Sequence, residues 1–249
     1  MAKSLIHSLK ESGKSFVKNP LIFLPSLIAM LILSILSELS TKFNSIIGNS
    51  NSFLVTGWFV LFSAICLLML SYFFAGLIGL CFASIKGKIK SSDFFSNANK
   101  YWLKNFIIII VMVIFFDILQ LVSVYGAYFI GKSLSLSLGS AKLLLFFIYF
   151  AGLIGWLIFF TFANFFLIER GFGLMGSIKK SFSFVKLHYI EVLVLSVGFF
   201  IILQITTYLD SIAVFNLIKL GELLATIIVY PYLALILAFF LYGNTEKER

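Results

Sequence analysis

Asp117 and Gln120 are the residues whose types and setting point most directly to chemistry, because both lie near the middle of a long apolar run. A carboxyl group inside a membrane is costly and is therefore a functional hypothesis by default. On a helix, the three-residue spacing puts both side chains on one face. No Lys or Arg occurs in any apolar run, so Asp117 has no obvious ion partner. Two interpretations stay open, a proton or cation relay and a hydrogen-bonded group that fixes helix packing.

Two further polar side chains, Asn164 and Gln204, lie in other apolar runs. Polar residues of this kind commonly form hydrogen bonds between helices in a membrane. Together with Asp117 and Gln120 they form a predicted intramembrane polar site, provided that the four side chains face one another.

The sequence predicts no catalytic residue, cofactor or metal site. His7 and His188 lie in basic amphipathic segments without a ligand-spaced partner. No phosphate-binding loop, nucleophile elbow or zinc-binding His-Glu-x-x-His motif occurs. We therefore expect a protein that is not an enzyme.

Three basic amphipathic segments each run into a long apolar stretch, at residues 1–19, 92–105 and 170–190. A helix with one apolar face and flanking lysines is typical of a segment that lies on a membrane surface. Anionic lipid headgroups attract such lysines. The predicted headgroup contacts are Lys10, Lys14, Lys18, Lys100, Lys104, Lys179, Lys180 and Lys186.

The three segments align at residues 16–18, 102–104 and 184–186, which indicates a threefold internal repeat. Helical spacing also predicts which apolar side chains share a face in each segment. These are Leu5, Ile6, Leu9, Phe16 and Val17 in the first, Phe94, Phe95, Ala98, Tyr101, Trp102 and Asn105 in the second, and Met175, Ile178, Phe182, Val185 and Tyr189 in the third.

The composition excludes an ordinary soluble domain. Apolar residues make up 61% of the chain and charged residues 12%, whereas soluble domains are about half apolar and about a quarter charged. The mean hydropathy of +1.09 agrees. The net charge of +9 does not indicate nucleic-acid binding, because the lysines follow the membrane topology and no soluble domain presents them. The expected partners are membrane lipids.

Hydropathy predicts an all-α fold, a single integral membrane domain over residues 1–249. We expect a polytopic bundle with six spans in three hairpins, each hairpin preceded by a cytoplasmic amphipathic helix. The predicted spans are at about 20–38, 53–85, 106–130, 143–168, 189–209 and 221–242.

The second apolar run, 53–85, exceeds the roughly 20 residues that a bilayer core requires. Its helix is expected to tilt, to project beyond the membrane, or to break at Gly76 or Gly79. The five residues 75–79, Ala-Gly-Leu-Ile-Gly, recur at 151–155. Small residues at this spacing allow close helix contact in lipid, although chance repetition in an apolar sequence is the alternative.

The basic residues predict the orientation. Fifteen of the 19 Lys and Arg residues fall in the N-terminal segment, residues 86–105, residues 169–188 and the C-terminal tail. Six spans put these four regions on one side of the membrane, and the positive-inside rule assigns that side to the cytoplasm. We therefore predict a multi-pass protein of the cytoplasmic membrane with both termini cytoplasmic.

Residues 173–186 (GLMGSIKKSFSFVK) and 15–25 (SFVKNPLIFLP) resemble the pattern of a family of six-span prokaryotic membrane proteins. That family is similar to the membrane domain attached to some glycerophosphoryl diester phosphodiesterases. The resemblance implies a six-span topology over nearly the whole chain. It supplies no catalytic residues, and it does not imply diesterase activity because no catalytic barrel follows the sixth span.

These observations favour a non-enzymatic membrane protein with a lipid-associated, scaffolding or partner-binding role. The alternative is a small transporter or channel that uses the polar face around Asp117 and Gln120. A membrane-embedded enzyme would require convergent polar groups at one depth.

Overall fold

The computed structural model describes residues 2–47, 52–87, 89–133, 137–212 and 220–245, and within these ranges every element is helical. The helices are α1 (Ala2–Lys18), α2 (Leu24–Ile47), α3 (Ser52–Ile85), α4 (Ser91–Ser133), α5 (Leu138–Arg170), α6 (Leu174–Leu187), α7 (Tyr189–Ile212), α8 (Leu220–Leu224) and α9 (Tyr230–Thr245). A 3₁₀ turn, Pro20–Ile22, precedes α2, and a π-helical turn, Ala225–Val229, joins α8 to α9.

Five segments of the described ranges are long and apolar enough to cross a membrane. They are Pro20–Lys42, Thr56–Ile85, Ser91–Ser133, Tyr189–Tyr208 and Gly221–Thr245. The predicted span at 143–168 falls within α5, which has 33 residues. The predicted all-helical fold, with several helices long and apolar enough to cross a membrane, is therefore confirmed for the described residues. The predicted spans leave connecting loops at 40–52, 131–142 and 210–220, each of which lies partly outside the described residues. Where the structure describes them, α2 continues to Ile47, α4 to Ser133 and α7 to Ile212, so these helices are longer than predicted.

α3 is one unbroken helix of 34 residues, so the predicted break at Gly76 or Gly79 is wrong. The two glycines serve close packing instead. A Cβ on Gly76 would lie 2.2 Å from the ring of Phe94, and one on Gly79 would lie 2.5 Å from Asn97. Phe94 and Asn97 belong to α4, which therefore approaches the backbone of α3 more closely than any larger residue would allow.

The second predicted amphipathic segment is not a separate helix, because residues 92–105 form the beginning of the 43-residue α4. The same helix then continues through the predicted span. Farther along α4, Leu119 lies against Gly152 of α5, where a Cβ would be 2.5 Å away. Both copies of the Ala-Gly-Leu-Ile-Gly sequence therefore place their first glycine against α4.

Most of the buried side chains lie at one end of the bundle, which we call the basic end. It comprises α1, α6, α9, residues 71–85 of α3, residues 91–108 of α4 and residues 162–170 of α5. Aromatic contacts join three of these helices, since the ring centroid of Phe184 lies 4.9 Å from that of Phe162 and 5.8 Å from that of Phe240. The largest fully buried side chains include Phe162, Phe165, Phe240, Ile78, Leu80, Ile108, Leu235 and Leu241.

Hydrogen bonds between helices reinforce the basic end. Ser71 Oγ donates to the carbonyl of Trp102 over 2.6 Å, and Asn105 Nδ2 donates to the carbonyl of Ser71 over 2.8 Å. The hydroxyls of Ser15 and Ser84 also share a hydrogen bond, which joins α1 to the end of α3. Because lipid is as apolar as the protein interior, such bonds and close backbone contacts fix the packing of membrane helices.

The last spanning segment contains Pro231, which has no N–H to donate to a carbonyl one turn earlier. The chain forms the π-helical turn Ala225–Val229 just before it, and the N–H of Tyr230 donates to the carbonyl of Ala225. π-helical turns are rare and frequently occur at functional sites. Here the turn forms part of the wall of a cavity.

Candidate functional site

A cavity of about 350 Å³, which we call the central cavity, lies between α2, α3, α4, α5, α7, the π-helical turn and α9. Volumes of roughly 300–1,000 Å³ are typical of small-molecule sites. The lining side chains are mostly apolar. They are Pro25, Ala29, Met30, Leu33, Leu70, Phe73, Phe74, Leu77, Met112, Phe165, Phe199, Leu233, Ala234 and Leu237, together with Ser26, Asn164, Thr226 and Tyr230.

Asn164 is the buried polar side chain of this wall. It is 2% exposed, and its Oδ1 atom has no hydrogen-bond partner. A buried acceptor left unpaired costs roughly 1–3 kcal/mol. The α5 helix therefore holds an acceptor toward an apolar space where a ligand with a donor would recover that cost.

The rest of the wall limits what the cavity can do chemically. The hydroxyl of Thr226 donates to the carbonyl of Glu222 over 2.8 Å, so its hydrogen is already used. Tyr230 is the titratable side chain in the wall and is 45% exposed. Leu70 on the opposite wall is 40% exposed, so the cavity reaches the side of the bundle. The arrangement suits binding of an apolar molecule rather than proton transfer.

The structure does not bring the four residues of the predicted intramembrane polar site together. Asn164 lies inside the bundle, whereas Asp117 and Gln120 on α4 and Gln204 on α7 are exposed on its outer surface. One chain therefore does not form a continuous polar path through these side chains.

All eight predicted headgroup-contact lysines are exposed. Lys14 Nζ lies 2.7 Å from Glu11 Oε1, and this hydrogen bond holds the pKa of the Glu11 carboxyl below its usual value. Lys100 Nζ lies 5.0 Å from the ring centroid of Tyr101, within the range of a cation–π contact. Both amino groups lie at the surface of the basic end.

α1 contacts the bundle through buried serines together with Leu5 and Phe16, whose side chains pack against the core. Ser8, Ser12 and Ser15 are buried, whereas Ile6 and Val17 are 63% and 84% exposed. Leu5 and Phe16, also on the predicted apolar face, are half-buried. The exposed apolar side chains therefore lie on the surface of the helix that also carries Lys10, Lys14 and Lys18.

α6 likewise combines buried serines with apolar side chains packed on the core, here Phe184 and Val185, and carries other apolar side chains on its outer surface. Ser177 and Ser181 are buried against the bundle, whereas Met175 and Phe182 are 66% and 40% exposed. Of the face predicted for this segment, Val185 is fully buried and Tyr189 is exposed. In the second segment, by contrast, the predicted face is turned toward the protein, and its buried members are Phe94, Ala98, Tyr101 and Asn105.

The aligned residues of the predicted threefold repeat differ in how deeply they are buried. Val17 and Leu103 are exposed, but the equivalent Val185 is fully buried. The similarity of the three segments is one of pattern, and their packing differs.

A second cavity, which the sequence interpretation missed, lies at the basic end. It has a volume of about 330 Å³, and its polar lining side chains are Lys86, Asp93, Asn97 and Glu169. These residues come from the ends of α3, α4 and α5, so only the packing brings them together. The available signal was that two of only 10 acidic residues, Asp93 and Glu169, lie in otherwise basic segments.

Among the described residues, no group of three or more His, Cys, Asp or Glu side chains is placed to hold a metal ion. Comparison with protein families matches residues 4–243 to a family described as a domain of unknown function, DUF7847. No curated protein and no solved structure matches the chain. Because the match covers nearly its whole length, the chain belongs to the DUF7847 family.

Proposed function

We propose that this is a non-enzymatic, lipid-associated protein of the cytoplasmic membrane. In this proposal six spans form three hairpins, both termini are cytoplasmic, and the basic end lies at the cytoplasmic leaflet. The observation that carries it is the outward apolar surface of α1 and α6 beside exposed lysines.

That surface has the chemistry of a segment at the lipid–water boundary. In α1 three small, polar serines face the protein beside Leu5 and Phe16, whereas the large apolar side chains of Ile6 and Val17 face outward. A water-soluble protein would do the reverse, because burial of apolar surface stabilises its fold. Exposed apolar side chains beside lysines are stabilised where lipid tails meet anionic headgroups.

The lengths of the spanning helices support the same placement. α3 has 34 residues and α4 has 43, which correspond to about 50 and 65 Å at roughly 1.5 Å per residue. The hydrocarbon core of a bilayer is about 30 Å thick. Both helices are therefore longer than the hydrocarbon core, and the basic residues at their joined ends support a position of these ends in the headgroup region.

Site-directed spin labelling tests the lipid contact of α6 at two neighbouring positions. Phe182 and Ser183 are both exposed, but they point about 100° apart around the helix. We expect a nitroxide at Phe182→Cys to be relaxed more by oxygen, which concentrates in lipid. A nitroxide at Ser183→Cys should be relaxed more by a water-soluble nickel chelate. The background is Cys66→Ser, and Cys81 is fully buried and out of reach of the label.

Two further arms complete this experiment. The difference between the two sites should increase when phosphatidylglycerol is added to phosphatidylcholine vesicles, and replacement of Lys179, Lys180 and Lys186 by Gln should remove that dependence. Equal accessibility at the two positions would show that α6 does not lie in the lipid surface, and the proposal would fail.

The unpaired Oδ1 of Asn164 favours a more specific role for the central cavity. We propose that the cavity binds an apolar molecule that carries one hydrogen-bond donor, such as a long-chain alcohol group. The apolar walls would hold the chain, and Asn164 would accept the hydrogen bond. The transport alternative has no comparable support, and it stays a prediction from the sequence, as does the resemblance to the membrane domain of the diesterases.

A further inference from the structure

We propose that the cavity at the basic end, between α3, α4 and α5, binds a primary amine joined to a phosphate, as in the headgroup of phosphatidylethanolamine. The inference is independent of the central cavity. It rests on the proposed function only for the position of the site at the level of lipid headgroups.

Glu169 is the most deeply buried acidic side chain of this cavity. It is 7% exposed, and its Oε1 atom forms an ion pair with Arg170 Nε at 3.1 Å. Its other oxygen, Oε2, is buried without a hydrogen-bond partner. A buried carboxylate oxygen without a partner is strongly unfavourable, so the cavity offers an acceptor that a cationic donor would satisfy.

Two further groups supply acceptors from α4. Asp93 Oδ2 accepts the backbone N–H of Lys90 over 2.9 Å, so Asp93 is anchored by one oxygen. Asn97 Nδ2 donates to the carbonyl of Asp93 over 2.7 Å, so the amide is oriented by its nitrogen. Both side chains line the cavity with Glu169. A primary ammonium group has three N–H donors, which these three groups match in number.

The same groups do not suit a divalent metal ion. Calcium takes 6–8 oxygen ligands, whereas this cavity has two carboxylates and one amide. The volume of about 330 Å³ also exceeds the space for a bare ion. The exposed amine of Lys86 lies in the same wall and would attract the phosphate of a zwitterionic headgroup. The cavity therefore combines hydrogen-bond acceptors with one cation, and this combination favours a ligand in which an amine is linked to an anion.

Lipid retention by the purified full-length protein tests the proposal. The protein is exchanged into nanodiscs with equal amounts of phosphatidylethanolamine and phosphatidylcholine, and the tightly retained lipid is measured by native mass spectrometry. Phosphatidylcholine has the same phosphate but a trimethylated nitrogen without N–H donors. We expect roughly tenfold preferential retention of phosphatidylethanolamine, the effect of about one charge-assisted hydrogen bond.

Glu169→Gln is the decisive variant, because it keeps the shape of the side chain and removes its charge. It should reduce the preference to near unity. Glu11→Gln makes the same change at an exposed position of the basic end and should leave the preference intact. If Glu169→Gln does not fold, Asp93→Asn serves instead, because asparagine keeps a side-chain oxygen that can accept the backbone N–H of Lys90.

Soluble phosphoethanolamine identifies the source of the amine. Displacement of retained lipid by it assigns the site to the membrane lipid. Saturable binding of phosphoethanolamine without lipid retention assigns it to a soluble molecule of the same chemistry. Equal retention of both lipids without phosphoethanolamine binding, or an unchanged preference in both cavity variants, would overturn the proposal. None of these outcomes depends on the spin-label result at α6, so the two proposals fail separately.

Discussion

The basic end and the opposite half of the bundle are both built from apolar helices, but among the described residues most of the protein core lies at the basic end. In the most apolar 18 residues of α3, 50% are buried, compared with 11% in α4. The contrast is present even within α4. Near its start Tyr101 and Ile108 are buried, whereas Ile114, Leu121 and Phe129 farther along are 53%, 56% and 63% exposed.

This difference shows what holds the molecule together. At the basic end, Gly76 and Gly79 allow close contact and polar side chains such as Ser71 and Asn105 bond between helices, whereas in the opposite half one such close contact is described, at Gly152. In the opposite half, large apolar side chains face outward, where lipid solvates them as well as protein would. One of the two candidate cavities follows the same division between the two halves, because the cavity lined by Glu169 lies entirely at the basic end.

The largest expected effect comes from filling the close contact at Gly76. Gly76→Ala would put a methyl group 2.2 Å from the buried ring of Phe94. Overpacking of this kind typically costs about 1–3 kcal/mol. We expect that loss in the free energy of unfolding, measured by denaturation in mixed detergent micelles.

Gly57→Ala is the matched control in the same helix. Gly57 has no atom within 4 Å of the position that a Cβ would occupy. Alanine favours a helix over glycine by up to about 1 kcal/mol, so this variant should be neutral or more stable. Equal losses at the two positions would contradict the contrast between the two halves.

Hydropathy was sufficient to predict the helices. A chain that is 61% apolar has too few polar residues to cover a surface in water, so lipid is the expected solvent for most of its side chains. It was not sufficient to predict which side of a helix packs. Phe94 and Phe95 are adjacent and chemically identical, yet Phe94 is buried and Phe95 is 56% exposed. Lipid and protein interior are both apolar, so hydrophobic pattern alone does not distinguish them.

The candidate sites show the same limit. Asn164 was singled out because a polar residue in an apolar run is readable from sequence, and the structure finds it in a cavity wall. Glu169 was not singled out, because it ends a span beside Arg170 and resembles an ordinary interfacial pair. The role proposed for Glu169 depends on Asp93 and Asn97, which belong to another helix. Helix packing brings these residues close to Glu169, and the sequence does not show that proximity.

An intermediate effect is expected for Asn164→Leu in the central cavity. Leucine is similar in size and removes the unpaired acceptor, so the free energy of unfolding should rise by about 1 kcal/mol. The same change should abolish discrimination between ligands with and without a donor. In the wild type, 1-decanol should raise the melting temperature more than decane does, and in the variant the two should act alike. A wild-type protein that does not distinguish the two probes would refute this role of Asn164.

The smallest effect is expected for Asp117, which separates the lipid-associated proposal from the transport alternative. Asp117 is exposed on α4 in the half of the bundle that faces lipid, and it lies apart from the buried Asn164. Asp117 forms no hydrogen bond or ion pair with another described residue, and asparagine is nearly equal in size. Asp117→Asn therefore removes no contact between the described helices and should change the free energy of unfolding by less than about 0.5 kcal/mol. Proton flux in proteoliposomes should equal that of empty vesicles for both the wild type and the variant. Flux above that level in the wild type, reduced in Asp117→Asn, would show that the lipid-facing half of α4 forms a conducting path after all, and it would do so without affecting the packing of the basic end.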